Sequence, residues 1–236
     1  ALLLDYVLRA RKATGSLPAN AAAVKSLVST EMATAICEKY GVKMFNVLTG
    51  FKFIGEKIKE FESSGAYTYV FGFEESYGYL TGTYARDKDA VAASLLIAEM
   101  AAHYQEEGKT LSEALNALYE ELGVYFEKTL SITMKGHDGP EKTKALMNRI
   151  RTSRPETLGG IALDDMFDLE QGAMGLPKSN VVYYRLNDGS VLIVRPSGTE
   201  PKMKVYVMVR GETRPSAEAK VEAIRSDFYA FAGIED

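Results

Sequence analysis

The sequence carries one cysteine, Cys37, in 236 residues, so no internal disulfide can form and a reducing, cytoplasmic setting is expected. Histidine is almost as scarce. His103 and His137 stand far apart, with no cysteine or carboxylate at ligand spacing, which argues against zinc. No apolar run approaches the roughly 20 residues of a membrane span. The longest, Ala90 to Ala98, is cut by Glu99 and His103 and reads as a buried helix. Charge of one sign is lacking too: 28 basic residues face 32 acidic ones without a long run of either. A net charge of −4 offers no attractive field to a nucleic acid or an anionic membrane, so neither is expected as a partner. The P-loop spacing, the Gly-x-Ser-x-Gly elbow and the Gly-x-Gly-x-x-Gly fingerprint are all missing. Asp164, Asp165 and Asp168 lack the rhythm and glycine of a calcium loop and read as a surface turn.

What is present suits a soluble globular chain of one large or two ordinary domains, with 46% hydrophobic and 25% charged residues. The first half alternates strands and helices in the manner of a layered α/β domain. Helices are expected over Ala1 to Arg11, Glu31 to Tyr40, Phe51 to Phe61, Asp87 to Glu107 and Ser112 to Leu122, the last capped by Ser112. Phe51, Ile54, Ile58 and Phe61 recur at spacings of three and four, which places them on one helical face. Strands are expected over Val24 to Ser29, Lys43 to Leu48 and Tyr67 to Phe73, with Tyr77 to Lys88 a loop. After Gly123 the pattern becomes α+β. Strands fall at Tyr125 to Lys135, Gly159 to Asp168 (with a turn), Val181 to Leu186, Val191 to Arg195 and Lys202 to Arg210. Asn187-Asp188-Gly189 signals a hairpin, since Asp and Gly tolerate positive φ. Helices follow Gly139-Pro140 to about Ile150 and close the chain over Ser216 to Phe231.

Four segments could carry chemistry. Arg195-Pro196-Ser197-Gly198-Thr199-Glu200-Pro201 joins two strands and puts a guanidinium, two hydroxyls and a glycine amide on one turn. That set suits phosphate, with Lys202 and Lys204 adding charge from one strand face; a polar strand-to-strand turn fits as well. Gly72-Phe73-Glu74-Glu75-Ser76 ends an aromatic strand, where extended backbone would turn Glu74 and Ser76 to one side. A carboxylate beside a hydroxyl can hold a sugar diol, or both can be ordinary surface groups. Thr49-Gly50 lies where open α/β sheets place ligands, although threonine there could be only a helix cap. In Arg86-Asp87-Lys88-Asp89, Asp87 or Asp89 can cap the next helix while Lys88 reaches a phosphate. Arg149, Arg151 and Arg154 read as a solvated helix end.

Taken in order, Leu48-Thr49-Gly50-Phe51-Lys52-Phe53, Gly72-Phe73-Glu74-Glu75-Ser76, Arg86-Asp87-Lys88-Asp89 and the Arg195 to Pro201 segment resemble the α-D-phosphohexomutase family, and most of all its phosphoglucomutase/phosphomannomutase branch. The resemblance covers essentially the whole chain and implies the third and fourth of the family's four domains. The implied fold is an α/β three-layer domain with a mixed sheet and flanking helices over residues 1–124, recognising sugar. An α+β, TATA-binding-protein-like domain with an antiparallel sheet would follow over residues 125–236, binding phosphate. By the same resemblance Thr49, Gly50, Glu74 and Ser76 contact the sugar, while Lys88, Arg195, Ser197, Gly198, Thr199 and Lys204 contact phosphate. The family's phosphorylatable serine loop and its Asp-Gly-Asp-x-Asp-Arg magnesium loop are not found here.

No catalytic nucleophile or metal ligand is therefore expected in this stretch. The implied parent is an isomerase-class phosphotransferase that interconverts hexose 1-phosphate and hexose 6-phosphate, with Mg2+ and glucose 1,6-bisphosphate as cofactors. Together with Ala1 falling inside a helical pattern, this suggests a C-terminal fragment whose partners are a hexose phosphate and the missing N-terminal domains. A stand-alone, non-catalytic phosphosugar-binding module is the alternative.

Overall fold

The computed structural model describes residues 1–134, 136, 138–197 and 202–234. Lys135, His137, Gly198, Thr199, Glu200 and Pro201, all part of the sequence reading, lie outside the described residues. The chain divides into two compact units, Ala1–Leu122 and Gly123–Asp236.

The first unit runs α1 (Leu2–Ala13), β1 (Ala21–Ser26), α2 (Met32–Tyr40), β2 (Lys43–Val47), α3 (Phe51–Ser64), β3 (Thr68–Glu74), β4 (Gly78–Leu80), α4 (Ala90–Glu106) and α5 (Leu111–Leu122). Its sheet is ordered β2-β1-β3-β4. β1 pairs parallel with β2 and β3, and β4 returns antiparallel to β3. All of β1 is buried, as a central strand with covered faces must be, which explains its run of small and β-branched residues. Phe51, Ile54, Ile58 and Phe61 of α3 are each at most 3% exposed and pack on Ala22, Val24 and Tyr69, so the face read from spacing is the core-facing one. The remaining helices α1, α2, α4 and α5 pack among themselves, completing a mixed sheet flanked by helices.

Several local expectations need correction. The first strand begins at Ala21 and ends at Ser26, because the chain turns at Leu27–Ser29, where the Ser29 N–H bonds the Ser26 carbonyl. The stretch taken as a loop contains β4, which is short enough to leave no visible alternation. α5 is capped by Thr110, which exchanges side chain and backbone hydrogen bonds with Glu113, while Ser112 sits inside the helix. α4 is not buried. Only Ala93, Met100 and Tyr104 of it are covered, while Val91 and Leu95 are 82% and 69% exposed. Apolar composition records a preference for burial and cannot supply a neighbour.

The second unit contains β5 (Val124–Thr133), α6 (Gly139–Thr152), β6 (Thr157–Leu158), β7 (Ile161–Asp168), β8 (Val182–Leu186), β9 (Val191–Pro196), β10 (Lys202–Gly211) and α7 (Arg214–Ala232). Its strands form one antiparallel sheet in the order β5-β10-β9-β8-β7-β6. Met203, Val205 and Val207 of β10 face Val221, Ile224 and Phe228 of α7 across the core. The β8–β9 turn closes with Gly189 N–H on the Leu186 carbonyl, and Gly189 takes positive φ (83°) where Asp188 does not. Asp188 instead accepts from the Ser190 amide (2.9 Å) and Lys220 Nζ (2.7 Å). Arg151 is not a solvated end: it pairs with Asp168 (3.2 Å) and Glu170 (3.1 Å) and is only 14% exposed.

Cys37 is fully buried, and burial pushes its thiol up to about 12 against the opposing charge of Lys25. Burial also raises the Tyr69 and Tyr184 phenols, and Tyr40 goes to about 12, through burial first and then the charge of Asp5. Each folded value lies above its unfolded one, so the stability these groups contribute is full below the unfolded values of roughly 8.5 for Cys and 10 for Tyr. It is lost as pH rises from there. Denaturant midpoints should therefore hold steady to about pH 8 and fall progressively toward pH 11. A maleimide at pH 7.5 should leave Cys37 unlabelled until the chain unfolds, and rapid labelling of the native chain would contradict this burial.

Candidate functional site

The carboxyl ends of the parallel strands collect the first group of candidates, at the edge where open α/β sheets bind ligands. β3 delivers Glu74 there, 7% exposed, and its Oε1 accepts the Gly50 N–H at 2.6 Å. Gly50 immediately precedes α3 with φ 116° and ψ 121°, a conformation closed to most L-residues, which aims its amide at the carboxylate. Thr49 is half-buried beside it and does not cap α3; the carboxylate takes the place of a cap, at the positive end of the helix.

Glu75, Ser76 and Tyr77 are not extended strand. They form the tight turn between β3 and β4, with Glu74 paired to Gly78 across it. The two-residue alternation therefore does not set the direction of Ser76, which is exposed on the turn. Tyr77 closes the turn at φ 61° and is 87% exposed. A non-glycine residue there costs roughly 1–2 kcal/mol. Lys88 arrives from the segment before α4. Its stem passes so close to Gly78 that an added Cβ would sit 2.5 Å from Lys88 Cδ, and its Nζ lies 5.4 Å from the centre of the Phe51 ring. Lys88 Nζ also bonds Asp87 (2.7 Å), while Asp89 caps α4 through the Val91 and Ala92 amides and accepts from Tyr84. The Tyr84 hydroxyl first, and then the Ala92 amide, hold the Asp89 carboxyl below its ordinary range. Thr49, Gly50, Glu74, Ser76 and Lys88, drawn from three separated stretches of sequence, thus gather at one place.

Sequence reading missed a second layer at the same edge. Lys25, the next-to-last residue of β1, is fully buried and bonds Glu31 (2.9 Å) and the Ser29 carbonyl (3.0 Å). Ser26 donates to Glu75 at 2.8 Å, and its hydroxyl lies 2.8 Å from that of Ser29. A lone charge inside Ala-Ala-Ala-Val-Lys-Ser was the available signal. Charges are almost never fully buried without a partner.

In the second unit, Arg195, the next-to-last residue of β9, stands directly opposite Lys204 of β10. Like charges facing across a ladder repel, at a cost of about 0.2–1 kcal/mol, and an anion between them reverses the sign. Arg195 donates to the Tyr206 hydroxyl from Nε (3.3 Å) and Nη2 (3.2 Å). The Ser197 amide bonds the Lys202 carbonyl at 2.7 Å, tying together the two ends of the turn. Gly198 and Thr199 lie outside the described residues.

Among the described residues no three His, Cys, Asp or Glu side chains converge, and Asp164 and Asp168 are paired with Arg185 and Arg151.

A helix-flanked mixed sheet followed by an antiparallel α+β unit is the fold of the third and fourth phosphohexomutase domains. Residues 1–122 match the phosphoglucomutase/phosphomannomutase alpha/beta/alpha domain III model, and residues 143–226 match the model of the C-terminal domain. The chain belongs to the phosphoglucomutase/phosphomannomutase family. It is 34% identical over 218 residues to a phosphoglucomutase of Staphylococcus haemolyticus, a match covering 88% of this chain and 38% of that protein. Its fold is similar to that of the open form of the Paramecium phosphoglucomutase parafusin, with a TM-score of 0.66 at 19% identity over 98% of this chain and 41% of that one. It is also similar to an N-acetylphosphoglucosamine mutase of Aspergillus fumigatus solved with glucose 1,6-bisphosphate, with a TM-score of 0.53 at 13% identity over 99% and 43% of the two chains. The chain thus spans well under half the length of these relatives. No helix among the described residues is long and apolar enough to cross a membrane.

Proposed function

We propose that this chain is the ligand-recognising part of a phosphohexomutase that interconverts hexose 1-phosphate and hexose 6-phosphate through a bisphosphorylated sugar such as glucose 1,6-bisphosphate. The observation that carries this reading is the buried Glu74 carboxylate, held by the Gly50 amide through one oxygen at a ligand-binding sheet edge beside Ser76 and Lys88. Its second oxygen can accept from a sugar hydroxyl, Ser76 can bond a neighbouring hydroxyl, and Thr49 and Gly50 border the ring. Lys88 supplies positive charge for a phosphoryl group.

In the second unit Arg195 and Lys204, with Ser197, Gly198 and Thr199 of the adjoining turn, hold the phosphate that is not reacting. None of these groups is a nucleophile. Their contribution is orientation and charge balance, from which most of the catalysis of phosphoryl transfer derives. Paired equatorial hydroxyls let a ligand that has turned over meet the same carboxylate in either orientation. The phosphoryl donor and the metal would come from the part of the relatives that this chain does not cover, and the reaction would run in the cytoplasm.

Calorimetry with glucose 1-phosphate tests the reading. Weak binding without turnover is expected from the 236-residue chain. Turnover by this chain, purified free of other mutases, would sink the division of labour and favour a self-sufficient protein.

A further inference from the structure

We propose that Tyr206 is a positioning residue for Arg195, holding its guanidinium in the orientation that meets a phosphate before the phosphate arrives. The inference rests on the reading of Arg195 as a phosphate ligand. Tyr206 lies on β10 two residues beyond Lys204, hence on the same face of the strand, and is 5% exposed. Its hydroxyl oxygen accepts from both Nε (3.3 Å) and Nη2 (3.2 Å), so one atom grips one whole edge of the planar fork. The ring lies alongside, with its centroid 5.8 Å from the guanidinium carbon.

The edge gripped is only one of two. Nη1 and the second hydrogen of Nη2 form the other pair of donors, and that pair matches two oxygens of a phosphate. Lys204, directly across the ladder, repels the guanidinium while the Tyr206 oxygen attracts it. Two groups on one rigid strand therefore set where Arg195 points. An arginine tethered in this way surrenders little further rotamer freedom when it binds an anion, and such preorganisation raises affinity without adding a contact to the ligand. A phenylalanine at the same place would fill the same space and keep the ring beside the guanidinium. Only the hydroxyl distinguishes the two.

Tyr206→Phe in the 236-residue chain isolates that hydroxyl. Titrated with inorganic phosphate and with glucose 6-phosphate, the variant should bind both roughly three- to tenfold more weakly, the effect of one net hydrogen bond. In an Arg195→Ala background the same substitution should change nothing further, because the group it positions is gone. A loss of equal size in both backgrounds would mark a merely structural role and overturn the proposal. Unchanged affinity for Tyr206→Phe, with Arg195→Ala still weakening binding, would overturn it while leaving the phosphate reading intact. Were Arg195→Ala also without effect, the phosphate reading itself would fall. A measurement on the unaltered chain removes dependence on any variant's folding. The Arg195 Nε–H signal in nitrogen-15 NMR should exchange slowly without ligand, and exchange as fast as that of free arginine in the same buffer would show that no tether exists.

Discussion

Replacing Arg195 by alanine is expected to weaken the binding of hexose phosphates by roughly ten- to a hundredfold, the largest effect of any single change in the second unit. Hydrogen bonds to a charged group contribute about 1.5–3 kcal/mol, and every 1.4 kcal/mol is tenfold in affinity. The substitution removes both the fork and the charge that faces Lys204. Relief of repulsion against Lys204 and entry of water return part of the loss, which is why the upper end of the range is a ceiling. Stability should change little, because the guanidinium is half-exposed and its partner Tyr206 can rebond to water. Calorimetry with glucose 1-phosphate and with inorganic phosphate measures the effect, and both ligands should lose alike. Unaltered affinity for both would remove Arg195 from the site.

Glu74→Gln should act on only one of the two ligands. Glucose 1-phosphate is expected to bind about tenfold more weakly, the difference between a charged and a neutral acceptor, while inorganic phosphate should be almost unaffected. Glutamine keeps an oxygen for the Gly50 amide, so the start of α3 should survive. Loss of the negative charge at that helix end costs about 0.3–1 kcal/mol of stability, visible as a small fall in the unfolding midpoint. An equal loss for both ligands would show that Glu74 has no particular dealing with sugar hydroxyls.

Much of the architecture was legible in the sequence because it rests on short-range regularities. The spacing of Phe51, Ile54, Ile58 and Phe61 specified both a helix and its buried face, and the aromatic, β-branched run ending at Phe73 specified a strand. Turn chemistry located the Gly189 hairpin, although one positive φ was needed where two were expected. Thr49, Gly50, Glu74, Ser76 and Lys88 were recognisable as ordered motifs, and so was the Arg195 turn. What stayed hidden depended on neighbours remote in sequence. Val91 and Leu95 have the composition of core residues yet stand open, since no helix or strand among the described residues covers them. Arg151 has the look of a surface cation, yet Asp168 and Glu170 enclose it. The alternation that would direct Ser76 ends with β3 at Glu74, two residues short of it.

The amino-acid order by itself determined most of the element types and the chemistry on offer: one carboxylate, several hydroxyls, lysines and an arginine. These follow from backbone propensity and residue type, which are local properties. The tertiary structure alone decided which of those groups meet. Parallel pairing of β1 with β2 and β3 brings Gly50 to Glu74 across 24 residues, and the ladder of β9 and β10 sets Lys204 and Tyr206 on Arg195. Strand register is fixed by burying a whole sheet at once. Contacts between distant residues are therefore a property of the assembled core, and no single segment contains them.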